Sequence, residues 1–292
     1  MQTCAEIRGG MCGRQRDTID KFYTKATTVE YCISKVKEHI RITDEDLIIE
    51  PSAGNGAFIE MIKGLGATTR FCDIKPEHKE IEKKDYLEYI PKSKYRKIHV
   101  IGNPPFGRQA SMAIKFIKHS ATFCDTISFI LPKSFNKESM QKAFDTTFHS
   151  VLSVDIDNEF VLSETKTIKV PCVFQIWERR SYNRQKHIKE ECKGFEFVTK
   201  NNSPHLSIRR VGVNAGKVDT KCENKNPNTN YFIKLDSPET MNTEMFGTVF
   251  NLAVAVVASN TVGARSISKP ELIHILNEIF QDNSSLALST LE

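Results

Sequence analysis

The 292-residue sequence predicts an α/β fold, a mostly parallel sheet with helices on both faces, with a small region appended at its C-terminal end. Three observations lead there. From Lys25 to about Phe174, strand-like apolar runs alternate with runs of helical spacing, the βαβ rhythm that parallel pairing requires. The run from Val170 to Trp177 is apolar at every position but Gln175, as in a strand buried on both faces. After Arg179 the texture changes to a basic, Asn-, Gly- and Ser-rich stretch with weak periodicity.

The elements follow in order. Val29, Ile33 and Val36 give the segment Thr28 to His39 a helical stripe, and Leu47 to Glu50 follows as a strand. A helix fits Ala57 to Lys63, strands fit Thr69 to Cys72 and Ile98 to Ile101, and a helix fits Ala110 to Ala121. Ile127 to Leu131 reads as a strand, Lys137 to Phe148 as a helix, and Ser153 to Asp155 and Val170 to Trp177 as strands. In the C-terminal third, short strands are expected at Phe195 to Val198, Leu206 to Val211 and Tyr231 to Leu235, with a loop from Lys221 to Asn230. Two helices close the chain, one near Phe246 to Ser259 and one over Pro270 to Phe280 that begins at the capping box Ser268-Lys269-Pro270-Glu271.

Composition excludes several classes. Hydrophobic residues at 39% supply enough apolar surface to rule out disorder as the main state. The longest apolar stretch, Leu252 to Ala258, falls well short of the roughly 20 residues of a membrane span. The N-terminal string MQTCAEIRGGMCGRQRD has no apolar h-region, so residues 1–19 are expected to be a loose tail rather than a secretory signal. Eight cysteines lie singly with no C-x-x-C pair, which points to a reduced intracellular compartment, cytoplasmic or nuclear, and to no structural metal. Net charge is +5, and residues 181–230 concentrate it with ten Lys/Arg against five Asp/Glu. Such a stretch can neutralise phosphates or be a solvated face; Arg209 and Arg210 within it, and Arg265 between Gly263 and Ser266, are the candidate phosphate contacts.

Residues 47–58 read LIIEPSAGNGAF, a strand, an acid at its end, a glycine turn and a helix. Gly54 and Gly56 allow close backbone approach, so a nucleotide-type ligand can lie across the turn. Ile59 replaces the third glycine of the dinucleotide fingerprint, and Glu50 would repel a pyrophosphate, so a cationic ligand fits better. Asp73 ends the next strand, where a carboxylate accepts both hydroxyls of a ribose. Asp85 either accepts from an exocyclic adenine amine, with Tyr86 or Leu87 packing the ring, or forms a capping box with Glu88. Asn103-Pro104-Pro105-Phe106-Gly107 follows the strand HVIG. Its two prolines remove two donors, leaving the Pro104 carbonyl and the Asn103 side chain as acceptors for an amino group, with the Phe106 face available to a planar ring.

EPSAGNG, an acidic strand end and NPPF together resemble the class I S-adenosylmethionine-dependent methyltransferases, specifically the adenine-N6 amino-methyltransferases. Asp20-Lys21-Phe22-Tyr23-Thr24-Lys25 resembles the segment that closes over the methionine end of the cofactor in those enzymes, and the motif order is similar to that of the gamma-type DNA adenine methyltransferases of the Taq kind. The resemblance covers residues 20–178; FILPKSF and KVPCVFQIWER look like later strands of that family. It implies a Rossmann-like fold with a mostly parallel seven-stranded sheet. It further implies a catalytic domain over 20–180 and a substrate-recognition region with C-terminal helices over 181–292. Cofactor contacts would come from Tyr23, Thr24, Glu50, Pro51, Ser52, Gly54, Gly56, Asp73, Asp85 and Tyr86, and catalysis from Asn103, Pro104, Pro105 and Phe106.

The implied activity is direct in-line methyl transfer to the N6 amino group of a flipped-out adenine in DNA, needing no metal. Phe160 is a candidate for the second stacking face. Pro171-Cys172 resembles the Pro-Cys nucleophile of cytosine-C5 methyltransferases, but it lies inside an apolar run and reads as a buried structural cysteine. Adenine in RNA and glutamine amides in protein are alternative substrates for such acceptors, and a noncatalytic nucleic-acid-binding subunit is the alternative of another class.

Overall fold

A computed structural model of the chain describes residues 23–92, 94–156, 159–163, 166–185, 190–237, 254, 257–258, 260–261 and 265–289, and no side chains at 159–163, 166–169 or 281–289. The tail at 1–19, the string Asp20 to Phe22 and most of the helix expected over Phe246 to Ser259 lie outside the described residues.

The strands are β1 (Leu47–Glu50), β2 (Thr68–Asp73), β3 (Glu82–Lys83), β4 (Ile98–Gly102), β5 (Thr126–Pro132), β6 (Phe148–Asp155), β7 (Glu159–Ser163), β8 (Lys166–Lys169) and β9 (Cys172–Arg179). Seven of them form one sheet in the order β3-β2-β1-β4-β5-β9-β6. The first five are parallel, β9 runs against both β5 and β6, and the sheet is therefore the mostly parallel Rossmann-like one expected. Register explains its two cores. Ile48, Phe71 and Ile101 face α1 (Ala26–His39) and α2 (Ile59–Lys63), whereas Leu47, Ile49, Cys72 and Val100 face α3 (Ser111–Ser120). Both faces of β1, β4 and β5 are covered, so every residue in them is buried, the polar Glu50, His99, Thr126 and Ser128 included.

Residues Lys137 to Phe148 depart from the single helix expected. α4 spans only Glu138–Gln141, and Phe148 already opens β6. The Asp145 side chain accepts from Thr147 N at 2.9 Å and Thr147 Oγ1 at 2.7 Å, a local turn that competes with helix. Phe144 then stacks on Trp177 at 4.1 Å, and Arg184 Nη2 takes the Phe144 carbonyl at 3.0 Å that a helix would have used. α3 starts one residue later than expected because Gln109 and Ala110 are both left-handed, at φ 53° and 60°.

The C-terminal region folds on its own antiparallel sheet, ordered β10-β13-β11-β12 from β10 (Phe195–Val198), β11 (Leu206–Arg209), β12 (Val218–Asp219) and β13 (Asn230–Leu235). α5 (Lys269–Ser289) packs Leu272, Ile275 and Leu276 against Phe195, Ile208 and Ile233. Its start is the expected capping box: Ser268 N donates to Glu271 Oε2 at 2.8 Å and Glu271 N to Ser268 Oγ at 3.4 Å. One ammonium joins this region to the large sheet. Lys137 Nζ donates to Ser266 O at 2.9 Å and to Glu271 at 3.2 Å.

The amino ends of the strands are held by a buried acid. Asp46, fully buried, accepts from Thr43 N at 2.8 Å, Arg96 Nη2 at 2.7 Å and Lys97 N at 3.1 Å, and His99 Nε2 approaches at 3.5 Å. Burial alone would raise its pKa, but the Thr43 amide and Arg96 outweigh that and hold it below its ordinary value of 3.8. Asp46→Asn is expected to destabilise the fold by about 1–2 kcal/mol, because an amide cannot accept from Thr43 N, Arg96 and Lys97 N together. Asp46 contributes stability that is complete above pH 3.8 and is lost as pH falls through the depressed folded value, so urea melts of the variant should show a shallower acid limb than the parent.

Candidate functional site

All five parallel strands end at the same edge, and the loops leaving β1, β2 and β4 meet there. The β1 loop is shaped by Gly54 at φ +52° and Gly56 at φ +85°, conformations that suit glycine. A Cβ on Gly56 would lie 2.8 Å from Ile59 Cδ1, so the turn packs tightly there, whereas the space above Gly54 is open to 4 Å. α2 begins only at Ile59 and has five residues, so the turn itself, and not a helix terminus, forms the cradle.

Carboxylates surround this turn. Asp73, at the end of β2, accepts from Gly54 N at 2.9 Å and Lys75 N at 2.7 Å, one bond per oxygen, leaving each oxygen a further lone pair. Glu77 N donates to Gly54 O at 3.0 Å. Glu50 lies behind the turn, 2% exposed, and its Oε2 has no hydrogen-bond partner. Burial, reinforced by the charge of Asp73, raises its pKa from 4.5 to about 8. Gly102, across on β4, has no room for a side chain, since a Cβ there would come 3.2 Å from Glu50 Cγ.

The β4 loop carries Asn103 to Gly107. Ser52 Oγ donates to Asn103 O at 3.0 Å and joins the two loops. Asn103 Nδ2 donates to Thr24 Oγ1 at 3.2 Å, and Tyr23 OH donates to both carboxylate oxygens of Glu77, at 3.0 and 2.8 Å. The segment before α1 thus spans the cleft from the β4 loop to the β2 loop. Phe106 O accepts from Met112 N at 3.1 Å, and Gly107, at φ +68°, has Met112 where a Cβ would sit. The left-handed Gln109 and Ala110 that follow store strain of roughly 1–2 kcal/mol each, the kind found beside working loops.

Several expected site residues lie elsewhere or are otherwise engaged. Tyr86 is 1% exposed in the opposite core, with its hydroxyl on Ser120 Oγ at 2.6 Å and its ring against Phe116 and His119, so it cannot pack a ligand at the turn. Asp85 accepts from Leu87 N at 2.9 Å and caps a single 3-10 turn, Tyr86–Glu88, through the residue two on and not through a capping box with Glu88. Phe106 is buried among Val29, Ile33 and Ile101, a wall of the site instead of an open stacking platform. Arg209 is tied down by Val211 O at 3.0 Å and Thr229 Oγ1 at 2.9 Å, so it braces the small sheet. Arg210, stacked over Tyr231 at 5.3 Å, and Arg265 are exposed. The Phe160 side chain lies outside the described residues; its strand β7 pairs with β8 between β6 and β9. Cys172 is buried and burial pushes its thiol pKa up, which suits a structural cysteine.

Sequence reasoning did not find Glu77, whose carboxylate accepts from Tyr23 54 residues earlier in the chain, or Lys137 as the joint to the C-terminal sheet. Neither lies in a recognisable motif. Among the described residues no group of three or more His, Cys, Asp or Glu could hold a metal ion, and no helix is long and apolar enough to cross a membrane.

No family model matches the chain, and no curated protein matches it. Among solved structures it is similar to a candidate RNA methyltransferase from Pyrococcus horikoshii, at 14% identity over 57% of this chain and 92% of that one, with a TM-score of 0.45. A protein from Thermoplasma acidophilum matches at 19% identity over 55% of this chain and 89% of that one, TM-score 0.41. A type I restriction-modification methyltransferase subunit from Streptococcus thermophilus matches at 11% identity over 56% of this chain and 46% of that one, TM-score 0.40. The chemistry of the cleft is read from this chain's own residues.

The raised pKa of Glu50 makes a testable demand on stability. Its folded value of about 8 exceeds its ordinary 4.5, so stability present below pH 4.5 declines as pH rises through 8. Urea melts at pH 6 and pH 9 should show the parent losing stability across that interval and Glu50→Gln losing less; equal losses would mean Glu50 is not the buried acid described.

Proposed function

We propose that this chain binds S-adenosylmethionine at the Gly54 turn and methylates the N6 amino group of adenine in DNA. The observation that carries the reading is Glu50, a buried carboxyl group with an unpartnered oxygen beside a second carboxylate and next to a loop of amine acceptors. Such a site calls for a cation, because burying a lone charge is costly and an opposite charge offsets it. When bound, S-adenosylmethionine supplies positive charge and a methyl group already activated for transfer.

The chain's own residues divide the remaining work. Glu50 and Asp73 favour the cation, and the spare lone pairs of Asp73 suit a ribose diol. Tyr23 and Thr24 bridge the cleft and exclude water from it. Because Asn103 donates its amide N–H to Thr24, what it offers a substrate is its carbonyl oxygen. The Pro104 carbonyl adds a second acceptor with no N–H on either proline to compete. Two acceptors hold the two N–H bonds of an aryl amine, turn its lone pair out of conjugation and take up positive charge as the nitrogen reacts. The displaced proton leaves for solvent once the nitrogen carries the methyl group. The basic excess of residues 181–230 supports nucleic acid over protein as the carrier of that amine.

Incubation with methyl-labelled S-adenosylmethionine and duplex DNA, single-stranded DNA, RNA or protein extract in parallel is expected to place label in N6-methyladenine of DNA, read by mass spectrometry. Label confined to RNA or protein would overturn the substrate. Asn103→Ala should keep calorimetric cofactor affinity and lose turnover by about 10²-fold or more, while Asp73→Ala should weaken cofactor binding itself.

Thr24 acts through Asn103 and is a positioning residue. Thr24→Val should lower kcat by about tenfold with KM for DNA unchanged, and Thr24→Ser should restore it. A Val variant with unchanged kcat would remove Thr24 from that role.

A further inference from the structure

The basic region presents more than charge. Between β11 and β12 the chain reads Arg210-Val211-Gly212-Val213-Asn214-Ala215-Gly216-Lys217, and Val213 at its tip is 87% exposed. Arg210 and Lys217 at the two ends of the loop, and Arg265 on the segment bonded to it, are all exposed. The nearest acid along the chain beyond the loop, Asp219, is shared between Lys225, the Lys221 amide at 3.0 Å and the charge of Lys217.

The loop is stiff. Arg209 N donates to Lys217 O at 2.9 Å and Gly216 N to Arg209 O at 2.7 Å, closing its neck, while Ala215 N to Gly212 O at 2.9 Å sets its turn. Gly212 N donates to Arg265 O and Ile267 N to Arg210 O, both at 2.9 Å, joining the loop to the segment before α5 through the Val211–Ser266 bridge. Gly216, at φ +93°, lies so close to Val254 that no side chain fits. Arg209 braces the neck from within through Val211 O at 3.0 Å. The same segment is moored by Lys137 through Ser266 O, and Lys137 follows the carboxyl end of β5, the sheet edge from which Asn103 also leaves its strand. The Val213 loop is thus tied, through Ser266 and Lys137, to a segment that leaves the same sheet edge as Asn103.

Resting on the reading of DNA as substrate, we propose that the Val213 loop is the wedge that opens a DNA duplex for this site, with Arg210, Lys217 and Arg265 gripping the flanking phosphates. A paired adenine cannot bring its amino group to Asn103 without leaving the stack. Apolar side chains pushed between base steps perform that unstacking in DNA-bending proteins, and the phosphate grip offsets its cost. β-Branched valine suits the role because few rotamers are open to it.

The test uses the full chain and a short mixed-sequence duplex carrying 2-aminopurine in place of adenine, whose fluorescence rises when it unstacks. The parent protein is expected to raise that fluorescence on binding. Val213→Ala should keep duplex affinity within about twofold, since the residue is exposed and the cations remain. It should lose the fluorescence rise and lose methyl transfer to duplex by about tenfold, with transfer to single-stranded DNA unchanged. Arg210→Gln, Lys217→Gln and Arg265→Gln should each lower the salt slope of duplex binding by about one. The wedge is overturned if the parent gives no fluorescence rise, if Val213→Ala retains it, or if duplex and single-strand transfer fall together. Absence of methyl transfer to every substrate would overturn the methyltransferase reading instead, and the fluorescence would still decide the wedge.

Discussion

Glu50 stands 2% exposed at the carboxyl end of β1, between β2 and β4, and the cost of keeping a carboxyl group there falls on every element around it. Gly102 has to lack a side chain to clear the Glu50 methylenes. Asp73, one strand over, adds repulsion and reaches back to the Gly54 amide, so the acid and the glycine turn are parts of one construction. A fold that gained only stability would place an apolar residue at position 50. On the function proposed above, the free energy withheld there is available to a cation that completes the site.

The rest of the architecture serves to hold that edge still. Asp46 draws Thr43, Arg96 and Lys97 together at the opposite ends of β1 and β4, far from the chemistry, so both strands arrive at the cleft in fixed register. Ser52 joins the two cleft loops, Tyr23 and Thr24 cross above them, and Met112 takes the Phe106 carbonyl below. Gln109 and Ala110 accept left-handed backbone so that the Asn103 loop can turn into α3 within a few residues. The C-terminal sheet is a separate apolar core joined to this edge by Lys137 and the capping box of α5.

Much of this was legible in local chemistry. Strands covered on both faces are mostly apolar, so β1, β4, β5 and the antiparallel β9 could be read as strands directly. The capping box at Ser268 and the glycine turn at 54–56 are local devices and form as read. Where local signals competed, reading failed. Lys137 to Phe148 has helical spacing, yet the Asp145 turn and the Trp177 stack end the helix at Gln141. Asp85 and Tyr86 lie in sequence between the Gly54 turn and the Asn103 loop, but the 3-10 turn they open packs Tyr86 into the core under α3.

The sequence by itself determined the succession of β1, β2, β4, β5 and β9 with α1, α2 and α3 among them, the tight turn after Glu50 and the acceptor-rich Asn103-Pro104-Pro105 loop, because these depend on periodicity, glycine and proline within a few residues. Only the tertiary structure decided which acid is buried, which arginine is free, and that a threonine before α1 orients an asparagine 79 residues on. Arg209 and Arg210 are adjacent and chemically alike, and alternation across β11 with its neighbours sends one into the sheet's bracing and the other into solvent. Burial and hydrogen-bond partnership are relations between distant segments, so they come into being only when the chain has packed.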